Sequence, residues 1–99
     1  MNFRSVFPLV DIKDEFTFQA CHTNEEFLTE IVQIYFSTSD QRTKESALAV
    51  FMAYRDHYPK YLYCLSNETK VQLDSASEAA PAKVIKLRRL ALSALSKVA

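Results

Sequence analysis

Apolar and polar residues follow two different periods along this chain. From Glu15 the order EFTFQA sets Phe16, Phe18 and Ala20 on one side and Thr17 and Gln19 on the other. Alternation of this kind marks a half-buried strand. The preceding FRSVFPLV supplies a partner strand, with Asp11–Asp14 as the turn, and Pro8 confines that partner to a sheet edge. An extended segment or small hairpin is therefore expected over residues 1–22.

Beyond Cys21 the period lengthens to that of a helix. Phe27, Ile31, Ile34 and Tyr35 recur at helical spacing with Leu28 beside them. Thr23-Asn24-Glu25-Glu26 is a capping-box pattern, with a hydroxyl at the cap and a carboxylate three residues on. Its two glutamates also suit the positive end of the helix dipole. The polar run Ser37–Asp40 ends this helix and caps the next. The second helix is expected from Gln41 to Tyr58, with a stripe of Leu48, Phe51, Met52 and Arg55. Ala47, Ala49 and Ala53 add helix propensity, and Pro59 stops the helix.

The stretch KYLYCLSNETKVQLDS has two readings. As a hairpin, Tyr61, Tyr63 and Leu65 share one face and Val71 and Leu73 oppose them. As helix, Pro59 starts a short turn that ends near Asn67. The lack of glycine favours the helical reading. A small-residue linker, ASEAAPA (76–82), follows, and Pro81 fits a helix start. The last helix is expected over 82–98. At 100° per residue, Val84, Leu87, Ala91, Leu95 and Val98 fall on one side. Ile85, Leu90, Leu92 and Ala94 widen the apolar arc beyond half the circumference, and Arg88 lies within it. Lys83, Lys86, Arg89 and Lys97 occupy the remainder with two serines.

The fold class that follows is mostly α, or α+β if the N-terminal hairpin forms: one compact domain over 1–99, a bundle of about four helices. Residues 23–74 form its helical core, and 82–98 form an amphipathic basic helix. The 99 residues are 48% hydrophobic and 24% charged, a balance that supports a packed core and not a disordered chain. Glycine is absent, which removes the usual left-handed helix cap and the phosphate-cradling loops of nucleotide-binding folds. The N-terminus lacks the long apolar core of a signal peptide, and no stretch approaches the roughly 18 apolar residues of a membrane span. The expectation is a cytoplasmic protein with reduced thiols and no membrane partner.

Net charge is zero, but it is unevenly spread. Residues 1–40 hold seven acids against Arg4 and Lys13, a net of −5; 41–74 carry +1, and 75–99 carry +4. The basic last helix could face nucleic acid, a membrane surface or protein. Exposing four or five of its large aliphatics would forgo roughly 1.5–3 kcal/mol each, so burial against protein is expected, with the basic residues at the edge. A membrane-surface helix usually carries Trp or Phe on its apolar face, and this one has neither. DNA readout ranks last, because the turn glycine of a helix-turn-helix is missing and the domain is not basic.

Chemistry-bearing residues are few. Cys21, His22, His57 and Cys64 supply the count for a zinc site but not its spacing, since adjacent Cys and His rarely reach one tetrahedral ion. The same residues would be needed for a thiol nucleophile with a histidine base. The acids Asp11, Asp14, Glu15, Glu25, Glu26 and Glu30 read as a solvated face, or as a surface that docks on a basic partner. The segment YRDHYPKYLYC interleaves Tyr54, Tyr58, Tyr61 and Tyr63 with Arg55, His57 and Lys60. Such a mix builds protein-binding hot spots and can also stack single-stranded nucleic acid.

The expected function is a small non-enzymatic protein-binding module: an adaptor, inhibitor or regulatory subunit. An inhibitor of host machinery carried by a phage or mobile element fits the size and the acidic front. No catalytic residue, metal ligand or cofactor is assigned. The interface residues expected are Tyr54, Arg55, Tyr58, Lys60 and Tyr61, with Lys86 and Arg89 as a second patch. The partner is another protein, or a second copy docking through the C-terminal helix. The alternative is a nucleic-acid-binding accessory protein that uses segment 54–63 and the basic last helix.

Overall fold

The structure, a computed structural model, describes residues 21–97. Along them run α1 (Asn24–Ser37), α2 (Gln41–His57), a 3₁₀ segment (Pro59–Cys64), α3 (Asn67–Glu78) and α4 (Ala82–Leu95). The described residues are mostly helical and contain no strand. The expected hairpin over 1–22 lies outside the described residues, Cys21 and His22 excepted.

Each helix start is set by a local donor–acceptor match. Thr23 caps α1: its Oγ1 accepts from the Glu26 N–H at 3.2 Å, and its hydroxyl donates to Glu26 Oε1 at 3.2 Å. Asp40 caps α2, accepting from the Arg42 N–H through Oδ1 and from the Thr43 hydroxyl through Oδ2 at 2.7 Å. Ser66 caps α3 by accepting from the Thr69 N–H at 3.1 Å. These side chains satisfy helix-end N–H groups that have no partner within the helix. Pro81 precedes α4, where its missing N–H costs nothing. Helix ends reflect the lack of glycine. No described residue has positive φ, so no helix closes on a left-handed cap. Thr38 leaves α1 in an extended conformation, Ala79 leaves α3 through the bridge region, and Ser96 stays helical.

α2 is the central helix. Thr43 and the whole run Glu45–Tyr54 are buried, so it is enclosed on every side and not along one stripe. Its Ala47, Ala49 and Ala53 permit close approach of neighbours on each face. Arg55, expected within the apolar stripe, instead lies where α2 leaves the core and pairs with acids there. α1 runs antiparallel to α2: the Tyr54 hydroxyl reaches Asn24 at one end, and Lys44 Nζ sits 5.0 Å from the Tyr35 ring centroid at the other. α3 returns along α2, from Asp74 beside Arg55 to Ala76, Ala79 and Ala80 beside Gln41 and Leu48. α4 then follows the direction of α2, with Lys83 on Glu45 and Arg88 on Asp56. One core cluster draws on all four helices, including Phe27, Ile31, Phe51, Leu73 and Leu95.

Residues 60–74 take the helical of the two readings, as a 3₁₀ segment followed by helix, because Ser66 offers a cap and no glycine offers a tight turn. Two boundaries differ from expectation. The stretch 76–82 is not all linker: Ala76, Ser77 and Glu78 close α3, and the buried Ser77 hydroxyl donates back to the Leu73 carbonyl at 2.8 Å. Alanine and serine are tolerated in a helix end, so the connection shortens to 79–81. α4 ends at Leu95, not 98, and Ser96 and Lys97 form a terminal turn.

Candidate functional site

The residues of YRDHYPKYLYC divide into a supporting layer and an exposed ridge. Tyr54 belongs to the support. It is fully buried, and its ring meets Tyr61 edge-on at 5.9 Å, Tyr58 at 6.4 Å and Phe27 at 6.5 Å. Its hydroxyl donates to Asn24 Oδ1 at 2.8 Å. Burial, then Tyr61 and Glu25, push its ionisation far above the ordinary phenol range. A side chain so enclosed offers no area to a partner. The sequence pattern could not separate it from the other tyrosines, because local spacing alone does not say which ring faces in.

Arg55 is likewise committed. Its Nε lies 3.0 Å from Asp56 Oδ1 and its guanidinium 3.3 Å from Asp74 Oδ1, while Arg88 of α4 reaches the other oxygen of Asp56 at 3.0 Å. The four residues link α4, α2 and α3 in one chain of charges. This explains how Arg88 sits within the apolar arc of α4: Asp56 draws its head out of the core while its stem covers apolar surface.

The 3₁₀ segment carries the exposed ridge. Three residues per turn superimpose positions i and i+3. Leu62 and Leu65 therefore turn inward onto the core, and Lys60 and Tyr63 turn outward. Tyr58 and Tyr61 are half-buried between them, with Lys60 Nζ 5.1 Å from the Tyr61 ring centroid. Tyr63 is 72% exposed, yet its hydroxyl donates to Glu25 Oε2 at 2.8 Å. That bond, and the nearby Glu25 charge, raise the phenol's ionisation above its ordinary value. Tyr63 is absent from the residues expected at the interface. The signal for it is the spacing from Lys60, once the segment is read as 3₁₀.

Beside the ridge, Cys21, Glu25, Glu26, Thr29 and Glu30 line an open cleft of about 330 Å³. None of its three glutamates forms an ion pair among the described residues. Cys21 is buried, and burial followed by Glu30 and Glu26 pushes its thiol up, away from nucleophilic character. Cys64 is exposed; its thiol donates to the Tyr61 carbonyl at 3.2 Å and accepts weakly from the Thr29 hydroxyl. Neither thiol has a histidine partner among the described residues. No group of three or more His, Cys, Asp or Glu side chains among them is placed to hold a metal ion.

Lys86 and Arg89 are exposed on α4, and no hydrogen bond, ion pair or ring contact joins them to the tyrosine segment. The apolar arc of that helix is covered by its own protein: Val84, Ala91, Ala94 and Leu95 are buried, and Ile85, Leu87 and Leu92 pack against the core. Among the described residues of that arc Leu90 is the exception, at 52% exposed. No helix of the described residues is long and apolar enough to cross a membrane.

No protein-family model matches the chain, and no curated protein or solved structure does either.

Proposed function

We propose that the protein is a non-enzymatic binding module, an adaptor, inhibitor or regulatory subunit, that docks on another protein through the ridge Pro59–Cys64. The observation that carries this reading is Tyr63, which is largely exposed and yet held in one orientation by Glu25. An aromatic ring fixed before binding loses little freedom when a partner covers it, and such rings dominate protein interfaces. Lys60 and the outer edges of Tyr58 and Tyr61 extend the same surface. Tyr54 and Arg55 serve it from below as supports, and Lys86 and Arg89 fall outside it. The carboxylates of Glu25, Glu26 and Glu30 beside the ridge favour a partner that is basic where it meets them.

Nucleic-acid binding through the same segment is the weaker reading, because Arg55 and Arg88 are already held by Asp56 and Asp74. A second copy docking through α4 would have Leu90 alone among its half-exposed large aliphatics to build on.

A photo-crosslinking amino acid placed at Tyr63, and separately at exposed Gln72 of α3, tests the proposal in extract of the native host. The expected result is a discrete protein adduct from position 63 that is absent from position 72. Identical adducts from both positions, or none from either, would remove the ridge as the docking surface. Retention of a single-stranded oligonucleotide that falls steeply with salt would favour the nucleic-acid reading instead.

A further inference from the structure

The helices are not held equally. α2 buries most of its length, whereas α3 buries only Leu73 and Ser77 of its 12 residues. Val71 on α3 is 64% exposed. Among the described residues, the one ion pair holding α3 is Arg55 to Asp74, and the Asp74 side chain is half exposed. Both ends of α3 are anchored without its help. The 3₁₀ segment before it is fixed by Tyr61 on Tyr54, by Leu62 and Leu65 on the core, and by Tyr63 on Glu25. α4 after it is fixed by Val84, Ala91 and Leu95, by Lys83 on Glu45 and by Arg88 on Asp56. Free energies of local opening follow the density of buried contacts, and segments with few of them open as units below the global free energy.

We propose that α3 is a strap between two fixed anchors, opening and closing as a unit while α1, α2 and α4 stay folded, and so uncovering the part of the core that Leu73 seals. The helix itself is weak in isolation: 12 residues are marginal in water without tertiary packing. Loss of Leu73 from its socket therefore releases the whole segment and not one turn. The loop that replaces it starts and ends at fixed points, so opening need not spread.

Native-state hydrogen exchange on the intact protein, read by NMR or mass spectrometry, tests this. Amides of α3 should show roughly tenfold or more lower protection than those of α2. Leu73→Ala should lower the protection of every helix by a similar factor, roughly tenfold or more, because opening of α3 and global unfolding both break its packing. Lys83→Ala, which loosens α4 from α2 and removes a contact that opening of α3 leaves in place, should lower the protection of α2 and α4 and leave that of α3 unchanged. Equal protection of α3 and α2 in the native protein, or a loss in Lys83→Ala that α3 shares in full with α2, would mean that the bundle opens as one unit and that no strap exists.

Discussion

The Tyr54 hydroxyl donates a 2.8 Å hydrogen bond to Asn24 Oδ1, joining the last turn of α2 to the first residue of α1. The same ring carries Tyr58, Tyr61 and Phe27 around it, so the orientation of the 3₁₀ ridge depends on a residue that no partner can touch. Tyr54→Ala removes the ring and leaves a cavity, and should destabilise the fold by about 3–5 kcal/mol. Tyr54→Phe keeps the packing and loses the bond, and should cost about 0.5–1.5 kcal/mol. Urea denaturation of the two variants checks both. A Tyr54→Ala protein with an unchanged midpoint would contradict the placement of this ring in the core.

Alkaline pH should unfold the protein chiefly through two buried groups, with exposed Tyr63 adding in the same direction. The Tyr54 phenol is pushed up by burial, with Tyr61 and Glu25 adding to it, and the Cys21 thiol is pushed up by burial, with Glu30 and Glu26 adding to it. In both cases folding favours the protonated, neutral form. Their contribution is fully present below the unfolded-state values, roughly 8.5 for a thiol and 10 for a phenol. It is lost as pH rises through the interval up to the folded-state values, by at most about 1.4 kcal/mol per pH unit for each group. Stability measured in urea should be flat to about pH 8 and then fall, more steeply once the phenol range is reached. Tyr54→Phe should flatten the upper part of that fall and leave the lower part.

The pattern of the sequence located α1 and α2 closely because their caps, Thr23 and Asp40, are read from nearest neighbours. The 3₁₀ segment and α3 were harder. Leu62 and Leu65 face inward by a period of three, which resembles neither strand nor α-helix over so few residues, and Ser66 announces its helix only through a bond to Thr69. The candidate site was legible as a cluster but not as a surface. Tyr54 and Tyr63 look equivalent in the sequence, and only tertiary contacts bury one and expose the other. Ion pairs across helices, such as Arg88 with Asp56, leave no local mark at all.

Glu45 offers a test of the α2–α4 contact. Its side chain is 8% exposed, and Lys83 Nζ stands 3.0 Å from Oε2, too oblique for a hydrogen bond, so that oxygen is answered by charge alone. Removing the lysine leaves a buried carboxylate without a counter-charge, which is costly in an interior. Lys83 itself is 66% exposed, and solvent screens part of the effect. Lys83→Ala should therefore cost about 1–2 kcal/mol, between the values for exposed and buried pairs. The double variant Glu45→Met with Lys83→Met, which removes both charges and keeps apolar volume, should be more stable than Lys83→Ala. A double-mutant cycle in urea measures the difference, and an unchanged Lys83→Ala would show that water already serves the carboxylate.

The charge chain Arg88–Asp56–Arg55–Asp74 predicts an order among its members. Asp56 meets two arginines, one from α4 and one from its own helix, and its side chain is about one-quarter exposed; Asp74 meets one, and its side chain is half exposed. Partly sheltered pairs keep more of their Coulomb attraction than solvated ones, and a shared acid loses two partners at once when it is removed. Asp56→Ala should cost about 1–2 kcal/mol and Asp74→Ala about 0.5 kcal/mol or less. High salt should shrink both costs, because the groups lie close enough to the surface to be screened. The two arginines left at the end of α2 would also repel each other in Asp56→Ala, so that variant should recover the larger share of its loss as salt is added. Unfolding midpoints at low and high salt give both the order and its salt dependence. An Asp74 variant more damaging than the Asp56 variant would mean that α3 is held mainly by its ion pair and not by Leu73.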